Sequence, residues 1–147
     1  MNPRIKDWHG KRVWIIGASS GIGAETARAL LARGARLALS ARNELGLHAV
    51  AADHPDALVI PLDITDHGSV IAARDKIMAS WSGIDLVLVA CRSVRMASRS
   101  WFRIHRLAKG AWDRGSDIRE YETALRWNSI RTIIRAIRIR SRTAITH

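Results

Sequence analysis

Val13-Trp14-Ile15-Ile16-Gly17-Ala18-Ser19-Ser20-Gly21-Ile22-Gly23 is the stretch on which the fold turns. Four consecutive apolar residues ending in a glycine suit a strand buried on both faces, because a half-solvated strand would alternate polar with apolar. The residues that follow, 24–33, place Ala27, Leu30 and Leu31 on one helical face, with Gly34 positioned to close the helix. The turn between strand and helix has glycines at 17, 21 and 23, spaced G-x-x-x-G-x-G. Such glycines permit a tight turn and let the backbone approach a pyrophosphate with no Cβ in the way. The helix opening there directs unpaired N–H groups and the positive end of its dipole toward an anion. Ser19 and Ser20 can add hydroxyl donors. As an isolated pattern, three glycines equally describe a plain strand-to-helix link; the apolar run before and the Ala-rich segment after favour a phosphate cradle.

Outward from this unit the pattern repeats. Residues 36–40 read as a second strand, and Asn43 can cap a helix running to about residue 53 with Leu45, Ala49, Val50 and Ala52 on its apolar side. Residues 57–60 read as a third strand stopped by Pro61. Thr65 or Asp66 caps a helix carrying Val70, Ile71, Ile77 and Met78, and residues 84–90 read as a fourth strand. Strands alternating with helices over short connections give a doubly wound α/β sheet of Rossmann type.

At these residues the sequence resembles the short-chain dehydrogenase/reductase family, whose first turn reads TGxxxGIG. Ile16 stands where the family has Thr, while Gly17, Gly21, Ile22 and Gly23 match. The resemblance covers about residues 10–90, the cofactor-binding half of a family member. It implies a nicotinamide dinucleotide held by Gly17, Ser19, Ser20, Gly21, Ile22 and Gly23, with hydride transfer to or from an alcohol or carbonyl substrate that the sequence does not specify. NAD-preferring members carry a carboxylate at the end of the second strand. Here the run is Ser40-Ala41-Arg42-Asn43, and an arginine suits a 2′-phosphate, so NADP(H) is favoured over NAD(H). A solvated loop arginine is the plainer alternative. Asp63 matches the family's Asp after the third strand, which holds the adenine amino group; it also suits a turn that its own side chain caps.

The resemblance stops near Cys91. Where the family continues Asn-Asn-Ala-Gly, this chain reads Val89-Ala90-Cys91-Arg92-Ser93. The family's proton-transfer centre is a Tyr-x-x-x-Lys pair with a serine. Tyr121, the chain's one tyrosine, has Leu125 where the lysine belongs. A phenol without that cation titrates near pH ~10 and is a poor base at neutrality. No catalytic residue is therefore assigned, and the expected turnover is weak or absent. Six scattered histidines and one cysteine lack ligand spacing, so no metal site is expected. Dimers and tetramers are common in the family, so a homo-oligomer is allowed and its order left open.

Composition divides the chain at the same place. Residues 1–90 carry ten basic and nine acidic residues, whereas residues 91–147 carry fourteen basic residues, thirteen of them Arg, against four acids. The whole net charge of +11 thus belongs to the second segment, apart from a single unit. Two parts follow: a dinucleotide-binding half, 1–90, and an Arg-rich segment, 91–147, expected to be mostly helical or irregular. Three readings of the second part stand. From Tyr121 onward, Leu125, Ile130, Ile133, Ile134 and Ile137 recur at near-helical spacing with Arg131, Arg135, Arg138 and Arg142 on another face. Such a basic amphipathic helix, with Trp101, Trp112 and Trp127 as anchors, suits nucleic acid or an anionic membrane. Alternatively the segment is an out-of-frame translation of the family's second half: read one nucleotide later, codons for residues 90–95 can spell Ala-Gly-Ala-Tyr. The third reading is a divergent second half. The polar start, with no apolar h-region, the lack of any 18-residue apolar run and the single cysteine favour a soluble, cytoplasmic chain.

Overall fold

Both faces of the first apolar run are covered, as its lack of polar alternation requires. The structure, a computed structural model, describes residues 6–52, 54–91, 117–127 and 130–140. In chain order the elements are β1 (Arg12–Ile16), α1 (Gly21–Leu31), β2 (Arg36–Ser40), α2 (Glu44–Ala51), β3 (Leu58–Val59), α3 (His67–Trp81), β4 (Leu86–Cys91), β5 (Asp117–Trp127) and β6 (Ile130–Arg140). They form one sheet in the order β3-β2-β1-β4-β6-β5. β1 pairs in parallel with β2 and with β4, and β2 with β3.

Strand alternation sorts the core into two layers. Val13, Ile15, Leu37, Leu39 and Leu86 pack with Ala24, Ala27, Leu30 and Leu31 of α1 and Leu47 and Val50 of α2. On the other face Trp14, Ile16, Ala38, Val87 and Val89 pack with Val70, Ala73, Ile77 and Trp81 of α3. With helices on both faces of parallel strands, this is the doubly wound arrangement expected from the alternation of elements.

Local chemistry explains the boundaries. Asn43 caps α2 by accepting from the Gly46 N–H at 3.1 Å, and Asp66, rather than Thr65, caps α3 by accepting from Gly68 and Ser69. α1 ends where Gly34, at φ +77°, lets its own N–H reach the Leu31 carbonyl and the Ala35 N–H reach that of Leu30. In α2 the buried stripe is Leu47 and Val50, three positions apart, and Leu45, expected on the apolar side, is 83% exposed. Leu45 lies two residues from Leu47, which on a helix is nearly the opposite face.

The amphipathic helix expected from Tyr121 onward is corrected. Residues 117–127 and 130–140 are strands, paired antiparallel with each other, and β6 lies antiparallel on β4 with Ala90 opposite Ile134. Six of the eleven residues of β6 are β-branched, which stiffens χ1 and favours extended backbone. The free edge of β4 also offers a row of unpaired backbone groups, which a strand satisfies and a helix cannot.

Candidate functional site

The turn at residues 17–23 is held from below by the end of β2. The Ser40 carbonyl accepts from both Gly17 N–H (2.7 Å) and Ala18 N–H (3.2 Å). Gly17 sits at φ +90°, and a Cβ there would lie 2.0 Å from the Ala90 carbonyl oxygen at the end of β4, so only glycine fits. Gly23 is equally tight: a Cβ would fall 2.0 Å from the Gly17 oxygen, which folds the start of α1 onto its own turn. Gly21 differs. It has φ +58°, and a Cβ would meet nothing within 4 Å. Two of the glycines are thus bare because protein fills the space, and Gly21 because its backbone is left-handed beside open space.

The helix opening is polar and unspent. Ser20 is the N-cap in extended conformation, but its hydroxyl makes no capping bond. The first bond back into the turn is Ala24 N–H to the Ser20 carbonyl at 3.4 Å. The N–H groups of Gly21, Ile22 and Gly23 come before it and have no carbonyl one turn earlier to receive them. They stand at the positive end of the α1 dipole.

Arg42 and Asp63 flank this turn. Arg42 is exposed, two residues past the end of β2. Backbone bonds from Ile60 N–H to Leu39 and from Leu62 N–H to Ala41 carry β3 alongside β2 and deliver Asp63 to the same rim. The Asp63 Oδ1 accepts from the backbone N–H and the hydroxyl of Thr65, at 2.9 and 2.7 Å. These bonds, the backbone one first, together with the nearby Arg42 charge, hold the carboxyl below the usual carboxylate range. The self-capped turn expected for this Asp is therefore present, and its Oδ2 takes no part in it.

In the sequence Ser40 stands out only as a position without a carboxylate. The structure buries it completely, and its Oγ accepts from the Trp14 indole N–H at 3.0 Å. The signal was available. Trp14 pairs with Ala38, so Ser40 is the diagonal neighbour on the same face, where a buried indole needs an acceptor.

All eight residues singled out in the sequence, Gly17, Ser19, Ser20, Gly21, Ile22, Gly23, Arg42 and Asp63, follow the C-terminal ends of β1, β2 and β3, which lie side by side. The connections leave β1 toward β2 on one side and β4 on the other. That reversal is where open α/β sheets form their ligand crevice. Tyr121 lies in β5, opposite Ala136. Among the described residues no group of three His, Cys, Asp or Glu is placed to hold a metal ion, and no helix is long and apolar enough to cross a membrane.

Comparison with known proteins decides the ancestry. The sequence model of the short chain dehydrogenase family matches residues 11–118, most of this chain. The chain belongs to that family. The match begins one residue before β1 and runs past β4 to Ile118 in β5. Among family members, the human protein "Dehydrogenase/reductase SDR family member 7" is 37% identical over 99 residues, covering 56% of this chain and 29% of its own length. A short-chain type dehydrogenase/reductase from Mycobacterium marinum superposes with a TM-score of 0.51 at 37% identity, over 54% of this chain and 34% of the other. A 3-ketoacyl-(acyl-carrier-protein) reductase from Brucella melitensis, solved in complex with NADH, superposes with a TM-score of 0.53 at 28% identity, over 55% and 34%. The chain thus spans about a third of the length of these relatives.

Proposed function

We propose that residues 1–90 form the dinucleotide-holding part of an oxidoreductase that moves hydride between nicotinamide and an alcohol or carbonyl, and that the dinucleotide is NADP(H). The observation that carries this reading is the turn at residues 17–23. Its Gly21 faces open space, and the N–H groups of Gly21, Ile22 and Gly23 await an anion at the start of α1. A pyrophosphate fits that donor set. The hydroxyls of Ser19 and Ser20 would add to it, the second being unspent on capping. Asp63 would hold the adenine amino group through its remaining oxygen. Arg42, exposed and past β2 with no carboxylate in the run from Ser40 to Asn43, would pair with a 2′-phosphate.

When bound, the nicotinamide supplies the hydride chemistry, and the chain's own contribution is to bind and orient it. Proton transfer to the substrate oxygen needs a further acid-base group. With Leu125 four residues after Tyr121, this chain carries no Tyr-x-x-x-Lys pair to supply it. Binding without appreciable turnover is the result. A cytoplasmic location agrees with the single cysteine.

Titration of the folded chain with NADP+ and with NAD+, followed by intrinsic tryptophan fluorescence, tests the reading. Saturable binding with NADP+ tighter is expected. Arg42→Ala should weaken NADP+ about tenfold, the loss of roughly 1.4 kcal/mol of charge-assisted bonding, and leave NAD+ within twofold. No saturable signal from either nucleotide would overturn the proposal. Stoichiometric NADPH-dependent reduction of a carbonyl by the purified chain would overturn the absence of turnover.

A further inference from the structure

α2 begins against the glycine turn. Gly46, its third residue, has no side chain on the edge that meets this turn. A Cβ there would lie 2.8 Å from the Ser19 carbonyl oxygen, 3.0 Å from the Ser19 Cβ and 3.2 Å from the Asn43 Nδ2. Real side chains do not approach backbone so closely, and the Ser19 carbonyl belongs to a turn already fixed by its two bonds to Ser40. A residue larger than glycine therefore moves α2 rather than the turn. Gly46 is not here to supply a left-handed turn: it sits inside a helix, where alanine is the stronger helix former. Its bareness serves proximity alone.

What moves with α2 is the corner that leads into it. Asn43 is tied to Gly46 through its cap at 3.1 Å, and Arg42 is the residue before. On the far side, Leu47 is fully buried among residues of β1, β2 and α1, so α2 has little freedom to roll in place. The gap between residues 17–23 and Arg42 is thus set on one side by the Ser40 bonds to Gly17 and Ala18 and on the other by the Gly46–Ser19 contact.

We infer that Gly46 is a positioning residue for cofactor choice: by letting α2 close onto Ser19, it sets the distance between the pyrophosphate cradle and the Arg42 that reads the ribose 2′ position. This rests on the dinucleotide reading above. It predicts a change in discrimination. The cradle itself is unaltered by a shift of α2, whereas a charge-assisted contact from Arg42 depends steeply on reach.

The test compares the full-length chain with Gly46→Ala, titrating each with NADP+ and NAD+ and following thermal unfolding of both. Expected is a five- to tenfold loss of NADP+ affinity in Gly46→Ala, NAD+ affinity within twofold, and a melting temperature within about 5 °C. In an Arg42→Ala background the Gly46 substitution should change neither affinity further. Equal losses for both nucleotides, an unchanged ratio, or a collapse of thermal stability would each overturn the inference, the last by making Gly46 a general support of the fold. If the unsubstituted chain binds neither nucleotide, the dinucleotide reading itself fails. If that chain binds and only the variant's predicted ratio fails, the reading stands without this refinement.

Discussion

Ser40 joins two duties at one position. Its carbonyl receives the first two amides of the glycine turn, and its hydroxyl receives the Trp14 indole in a site closed to water. Removing the hydroxyl leaves a buried N–H without a partner, and that asymmetry dominates the cost. Ser40→Ala should destabilise the fold by about 1–3 kcal/mol, read from urea unfolding. The double variant Trp14→Phe, Ser40→Ala should recover part of the hydrogen-bond penalty, since neither group is then left unpaired. A double variant with losses simply additive would show that the bond contributes nothing of its own. Leu45 makes the complementary point: apolar and 83% exposed, it shows that a hydrophobic residue in a short helix is not a core residue until its face is known.

At the scale of elements, α3 carries a removable strain. Its C-cap, Ser82, sits at φ 56° in the left-handed region, with its N–H on the Met78 carbonyl at 2.8 Å. A Cβ is disfavoured there, and glycine is the usual solution. Ser82→Gly should raise stability by about 0.5–1 kcal/mol, the relief of strain less the added freedom of the unfolded chain, and should raise the melting temperature by a few degrees. A lower melting temperature would contradict it. The elements also show what was legible in the sequence. β2 runs from Arg36 to Ser40 as read, lying between the left-handed Gly34 that closes α1 and the Asn43 that caps α2. β1, α1 and the Asp66 cap of α3 likewise follow from local chemistry, as does the gathering of the eight site residues at one rim, a consequence of three parallel strands in a row. β5 and β6 were not legible. The spacing of Ile130, Ile133, Ile134 and Ile137 fits one face of a helix, and the decision for strand comes from the edge of β4, far away in the chain. The Gly46–Ser19 contact was hidden for the same reason, since it joins two elements through a missing atom.

Across the whole molecule, the end of the sheet opposite the site is fastened by one ion pair. Arg12 holds Asp85 through its Nε at 3.0 Å and its Nη2 at 2.9 Å, reaches the Trp81 carbonyl at 3.2 Å, and its backbone N–H reaches the same carboxylate at 2.9 Å. Partial burial pushes the Asp85 carboxyl upward, but the side-chain and backbone hydrogen bonds from Arg12 and its charge outweigh this and leave it below its ordinary value; the same side-chain bond raises the Arg12 guanidinium. A carboxyl depressed in the folded state contributes stability above its unfolded value, and that contribution disappears as pH falls through the folded one. Acid unfolding should therefore steepen below pH ~4. Asp85→Asn should cost about 1–2 kcal/mol at pH 7, toward the low end for charged bonds because solvent reaches both groups, and should flatten the loss below pH ~4. An unaltered acid limb in the variant would dismiss the pair as a contributor. The charge asymmetry of the chain is a separate matter, answered by the gene: an out-of-frame origin for residues 91–147 predicts a Tyr-x-x-x-Lys pair in another frame downstream of codons 89–92.

β1 lies between β2 and β4, and the partner that binds its second edge arrives 73 residues later, as Arg12 and Asp85 mark. At a synthesis rate of roughly 5–20 residues per second, a growing polypeptide waits about 4–15 seconds with that edge bare. That strand, apolar at four of its five positions, is open to holdase chaperones on the ribosome throughout the wait.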